Sequence, residues 1–274
     1  MPECLNFPDP NELYQRYKNS EYGRRLVLQS RFGAPNMMPE WMTAKDWTLL
    51  LGPDVNNLWH LSHSIHVATM YEILSQGKDP HIPEQYSVLA TLYPHKYALL
   101  QGVAGLHDIQ EVITGDTNYH DKTTETEQEE EREFVRMMGE LYSDYFSQKA
   151  ILELADITFR QDNPLGFEFQ AIEEIGYLMT ALQAHYITNG SLFYNHSMNE
   201  RDDLLLSDGR DKLAYLVCNV THTALPHLIA KGKVNNGVRT FLINSVPDID
   251  RMVESQSNDQ DLIIAWKQFK TTYA

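Results

Sequence analysis

Apolar residues along this chain recur at helical spacing, and clean alternation of the kind a half-buried strand needs is hard to find. NELYQRYKNSEYGRRLVLQSRF (11–32) predicts a first helix with Asn11 as its cap. GAPNMMPEWM then interrupts the chain with two prolines and a glycine and predicts a loop. From Val55 to about Leu74 the stripe Leu58, Leu61, Ile65, Ala68, Tyr71 and Ile73 predicts a helix. After a break at KDPHIPEQ, helices are expected in YSVLATLY and in HKYALLQGVAGLHDIQEVITG, the latter closed by Gly115. TTETEQEEEREFVRMMGELY begins with threonines and acids that suit a helix N-terminus, and its charge run reads as a solvated helix start. QKAILELADITFR, FQAIEEIGYLMTALQAHY and DGRDKLAYLVCNVTHTALPHLIAK predict three more helices, the last kinked or broken near Pro226. NNGVRTFLINSV and DQDLIIAWKQF complete an all-α chain. No repeat, low-complexity linker or domain boundary stands out, so one domain is expected over residues 1–274.

Composition narrows the classes. With 42% apolar and 11% aromatic residues the chain can bury a large core, which excludes disorder. The 38 acidic residues outweigh 22 basic ones and give a net charge of −16, which argues against a nucleic-acid polymer as partner. The same charge repels small anionic substrates unless a metal or local Arg and Lys residues offset it. Cys4 and Cys218 are too few for a disulfide framework or a cysteine zinc cluster, which fits a reducing cytosol. No apolar run of about eighteen residues exists, so no membrane span is expected. MPECLNFPDPNELY lacks the basic start and apolar centre of a signal peptide, so a cytoplasmic location is expected.

Candidate chemistry concentrates in HDIQEVITGD, residues 107–116. On a continuous helix His107 and Glu111 are i and i+4, and Asp108 and Glu111 are i and i+3, so all three share one side. Val103, Leu106, Ile109, Val112 and Ile113 take the core side. An imidazole beside a carboxylate suits one divalent metal ion: Mn, Co, Fe, Zn or, less typically, Mg. Two ligands do not hold a metal firmly, so others must come from elsewhere. In WHLSHSIHVATM, His60, His63 and His66 recur every three residues and drift around the helix by 300° per step. At least one of them is an expected ligand.

HSIHVA followed by LHDIQEVITGD resembles the HD-domain metal-dependent phosphohydrolases. Within them it is similar to the 5′-deoxynucleotidase branch, whose members read HSxxVA and then HDxxEVxTGD. The likeness runs over residues 58–122. It implies a single HD-type helical bundle with core motifs at 55–225, an N-terminal extension and a helical insertion within 160–208. It makes His63 the first metal ligand and His107 and Asp108 the next two, leaving His60 and His66 secondary. The family closes its site with an aspartate on a later helix, for which Asp211 in DGRDKLAYL is expected and Asp156 in LELADITF is an alternative. An alignment without the insertion puts Gly176 there, with Glu173 one turn away as a substitute. The likeness further implies that Glu111 is the general acid or base and that Asp116 touches the nucleotide sugar. Arg31, beside Phe32 and with Arg24 and Arg25 behind it, would hold phosphate, and Lys122 would be a second phosphate contact. The implied activity is removal of the 5′-phosphate from (deoxy)nucleoside monophosphates by a homodimer. A dNTP or signalling-nucleotide hydrolase, a di-iron oxygenase using His120, His185 or His196, and a degenerate nucleotide-binding protein stay open.

Overall fold

The computed structural model describes residues 8–29, 56–116, 122–160, 162–188, 236–254 and 259–273, and these are helical with no strand. Asp9, not Asn11, opens α1 (Pro10–Asn19): its Oδ1 accepts from Asn11 N at 2.9 Å and Glu12 N at 3.2 Å. Pro10 then takes the first helical position, where no N–H is required. The single helix expected over 11–32 is divided at Ser20, whose Oγ donates to the Tyr17 carbonyl at 2.6 Å and accepts from Gly23 N at 3.1 Å. The hydroxyl therefore ends α1 and starts α2 (Glu21–Leu26).

Gly23 makes this bend sterically possible. A Cβ there would lie 2.2 Å from the Tyr17 carbonyl oxygen and 2.7 Å from Lys18 Cα, both backbone atoms that cannot swing away. Gly23→Ala is expected to lower stability by about 1–3 kcal/mol through overpacking. Urea denaturation checks this, and an unchanged midpoint would show that the bend relaxes at no cost.

The chain continues through α3 (Asn57–Ser75), a 3₁₀ turn (Glu84–Tyr86), α4 (Leu89–Leu92), α5 (Lys96–Ala104), α6 (Glu111–Thr114) and α7 (Thr124–Tyr142). α8 (Gln148–Phe159), α9 (Pro164–Thr188), α10 (Asn236–Glu254) and α11 (Gln260–Tyr273) follow. α3 is the central helix and packs against α5, α9 and α10. Leu58, Leu61, Ile65, Ala68 and Tyr71 form its buried face as expected, but Ile73 is 68% exposed. At 100° per residue it sits about 200° around the helix from Tyr71, so it cannot share that face. One cluster of buried apolar side chains runs from Leu13 in α1 to Phe269 in α11.

The helix expected over HKYALLQGVAGLHDIQEVITG is also interrupted. α5 ends at Ala104, and the backbone tightens to i→i−3 bonds before α6 begins: Leu106 N to Val103 O, Ile109 N to Leu106 O and Glu111 N to Asp108 O. Gly105 lets this turn press against α3, since a Cβ there would meet Ile65 Cδ1 at 3.0 Å. The His–Asp pair therefore sits in a tight turn rather than on a regular helix. Gly115 ends α6 with φ +80°. Thr123 caps α7 through a reciprocal pairing with Thr126. Most of the acidic run that follows is solvated as expected, but Glu130 is buried at 2% exposure. α10 continues through Pro247, past the expected end at Val246. The segment around Pro226 lies outside the described residues. Among those described, no helix is long and apolar enough to cross a membrane.

Candidate metal centre

α3 begins where Asn56 accepts from Trp59 N at 2.9 Å, and its register then decides which histidine faces the turn. It is His60. Its Nε2 lies 3.2 Å from His107 Nε2 and 3.3 Å from Asp108 Oδ2. His107 Nε2 and Asp108 Oδ2 are themselves 3.0 Å apart. Among the described residues these three side chains bring their donor atoms within 4.8 Å of one another.

His63, which the motif likeness put first, is placed differently. Three residues further along α3 it stacks on Trp59 with ring centroids 4.8 Å apart, and donates to the Gly176 carbonyl. Burial outweighs that carbonyl and the nearby His66 lowers the ring further, so the His63 pKa falls below its ordinary value. His66 is exposed.

The tight turn orients His107. Its Nδ1 lies 2.9 Å from the Ala104 carbonyl, and donating a proton there leaves the Nε2 lone pair facing His60 and Asp108. Phe169 packs edge-on against the ring at 5.3 Å, and His107 is 2% exposed. Tyr17 Oη braces the turn from α1 by donating to the Ile109 carbonyl at 2.9 Å.

Spacing and chemistry both suit a divalent ion. With metal–donor bonds of about 2.0–2.2 Å, donors separated by about 90–110° lie roughly 2.8–3.6 Å apart, and all three observed separations fall in that range. Two imidazole nitrogens and one carboxylate oxygen form a donor set for Mn²⁺, Fe²⁺, Co²⁺ or Zn²⁺. The same groups also shift one another's ionisation. Burial by itself would push the Asp108 carboxyl up, yet the facing His107 and His60 rings hold it well below the usual carboxylate range. Burial would lower His107, yet Asp108 and Glu173 raise it above its ordinary value. The pocket thus keeps an anion and gathers positive charge around it.

Glu173 from α9 approaches from the other side, its Oε1 3.6 Å from His107 Nε2. Its side chain is 32% exposed. Asp156, the alternative fourth ligand, lies elsewhere: its Oδ2 accepts from Tyr86 Oη at 2.8 Å and its Oδ1 pairs with Arg160. Asp211, Arg31 and His120 lie outside the described residues. Arg24 donates to the Asn19 carbonyl at 2.7 Å, and Arg25 reaches the Val112 carbonyl at 3.5 Å, beside the helix that carries Glu111.

Glu111 opens α6, buried at 6% exposure, and its Oε2 accepts from Asn57 Nδ2 at 2.9 Å. Asp116 is half-buried just beyond Gly115. Lys122 pairs with the buried Glu130 at 2.7 Å. Burial would lower the Lys122 ammonium, but Glu130, Asp108 and Glu111 together raise it, which places this cation at the edge of the site. Asn57 and Glu130 are the two residues here that sequence reasoning missed. Asn57-x-x-His60 and Asp108-x-x-Glu111 have matching three-residue spacings, and that was the available signal for Asn57. No protein-family model, curated protein or solved structure matches this chain.

Proposed function

We propose that the chain is a divalent-metal-dependent phosphohydrolase of the HD type that removes the 5′-phosphate from (deoxy)nucleoside monophosphates. The observation that supports this most is the convergence of His60, His107 and Asp108 donor atoms at metal spacing, next to a buried glutamate. In this reading those three residues hold the ion. Glu173 adds the later carboxylate in preference to Asp211, because it already reaches His107 from α9. A bound divalent ion supplies positive charge to the phosphate and makes water more acidic near neutral pH.

The remaining work falls to the chain's own groups. Glu111 accepts a proton from water as the new O–P bond forms and returns it to the 5′-oxygen as the P–O5′ bond breaks, giving nucleoside and inorganic phosphate. Lys122 and Arg31 take phosphate oxygens, and Asp116 takes the sugar. A screen of nucleotides with Mn²⁺, Co²⁺, Fe²⁺, Zn²⁺ and Mg²⁺ should give phosphate release that stops on chelation and returns when metal is restored. If no nucleotide releases phosphate with any of these metals, the reading fails. Release of pyrophosphate or triphosphate would reassign the substrate within the same chemistry.

The donor set also favours a second reading. Two histidines and one carboxylate are the ligands of mononuclear iron(II) oxygenases. Phosphate release that proceeds equally well without oxygen excludes it, while oxygen uptake dependent on Fe²⁺ would support it.

A further inference from the structure

Two contacts join α3 to the His–Asp turn, and they form successive rungs. His60 meets Asp108 at 3.3 Å, and Asn57 meets Glu111 at 2.9 Å. Each element moves three residues between the rungs, so the second lies about 5–6 Å from the first. Both residues of the second rung are buried, Asn57 at 1% and Glu111 at 6% exposure. Asn57 Nδ2 donates to Glu111, but Asn57 Oδ1 is buried and has no hydrogen-bond donor among the described residues. An amide oxygen left in that state is costly, and such groups in native proteins usually hold a water or a ligand. Exchanging the two amide atoms does not remove the need, since it would aim an oxygen at the Glu111 carboxylate.

We infer that Asn57 is the positioning residue for Glu111, and that Asn57 Oδ1 and the Glu111 carboxylate together hold one water molecule as a donor to both. This rests on the phosphohydrolase reading for its role in turnover. A water that gives one hydrogen to Asn57 Oδ1 and the other to Glu111 keeps its lone pairs outward, toward the rung where His60 and Asp108 stand. The proton it loses on attacking phosphorus is already directed at Glu111. Asn57 also fixes the glutamate: with Oε2 held by Nδ2, the carboxylate does not rotate away from the water.

The test is a double-mutant cycle on metal-loaded full-length protein. Asn57→Ala is expected to lower kcat about 30–100-fold, up to the low end of what a general base itself contributes, with KM changed less than about threefold. Mn²⁺ affinity, read by calorimetry, should stay within about twofold, because the rung at His60 is untouched. Asn57→Asp keeps the shape, and with it the fold, but sets a second carboxylate against Glu111, so kcat should fall as far. Asn57→Ala combined with Glu111→Gln should be no slower than Glu111→Gln alone, because both remove one function. Losses that multiply would show a purely structural Asn57 and overturn the inference. A high-resolution crystal structure of the Mn²⁺-loaded protein reads it without turnover: an ordered water within hydrogen-bond reach of Asn57 Oδ1 and Glu111 is expected. Absence of that water overturns the inference even if phosphatase activity stands. Absence of phosphate release from the wild type sinks the phosphohydrolase reading and leaves the water site to be judged by the crystal structure.

Discussion

Asp108→Ala is expected to weaken Mn²⁺ binding by at least about 100-fold, beyond the 10–100-fold typical for residues that only support a ligand, and to abolish phosphate release. Asp108 is the one anion of the converging trio, and the two rings face it at 3.0 and 3.3 Å. Asp108→Asn, which keeps shape but not charge, should fall nearly as far. Calorimetry with Mn²⁺ decides the point, and affinity within threefold of wild type would refute the assigned ligand set. The same substitution has a signature in chelated protein. Asp108 is held below its ordinary value of 3.8, so it contributes stability above that pH and loses it as acid carries the solution through the lower folded value. His107 is raised above its ordinary 6.5, so its contribution is complete below that pH and is lost as the solution rises through the folded value. The pair therefore stabilises metal-free protein most between about pH 4 and 6.5. Urea denaturation of chelated Asp108→Ala should show its largest deficit in that window.

The parts of this site that were legible in the sequence are those that neighbours along the chain determine. His107 and Asp108 are adjacent, so any fold that buries Leu106 and Ile109 presents them together. The choice between His60 and His63 depends instead on how α3 is rotated about its axis, and that is set by where Leu58, Leu61 and Ile65 meet α5, α9 and α10. A pattern of apolar positions fixes such a rotation only to a broad stripe, and both histidines flank it. The break after Ala104 was hidden because a short turn with i→i−3 bonds keeps nearly the same apolar spacing as a helix. Glu130 was concealed by its neighbours: in a run of acids, nothing local distinguishes the one that a lysine eight residues earlier draws inward. Glu173 was visible only as a substitute, since its approach to His107 depends on how α9 crosses α3.

Lys96→Met is expected to destabilise the protein by about 3–5 kcal/mol, the range for removing one partner of a buried ion pair. The Lys96 side chain is 3% exposed, and its Nζ lies 2.9 Å from Glu168 Oε1, itself 13% exposed. Burial alone would lower the ammonium, but Glu168 outweighs it and keeps Lys96 charged. Tyr71 Oη donates to the other Glu168 oxygen at 3.2 Å, so this one carboxylate ties α5, α3 and α9 together. Asp79, at 3.5 Å from Nζ but 82% exposed, contributes little to that balance. Replacing the whole group, with Lys96→Met, Glu168→Leu and Tyr71→Phe, should recover most of the loss, because apolar side chains satisfy the site without an orphaned charge. Urea denaturation of the single and triple variants measures both steps, and a triple variant no more stable than Lys96→Met would show that packing rather than charge governs the site. The three tied helices also carry His60 and Glu173 and lead into the turn that holds His107, so a weakened clamp could spoil the site as well. Local contacts argue otherwise, since the Ala104 carbonyl fixes His107 and Tyr17 braces Ile109. Mn²⁺ affinity of the folded Lys96→Met protein should therefore stay within about twofold of wild type, which separates what holds the helices together from what orients the donors.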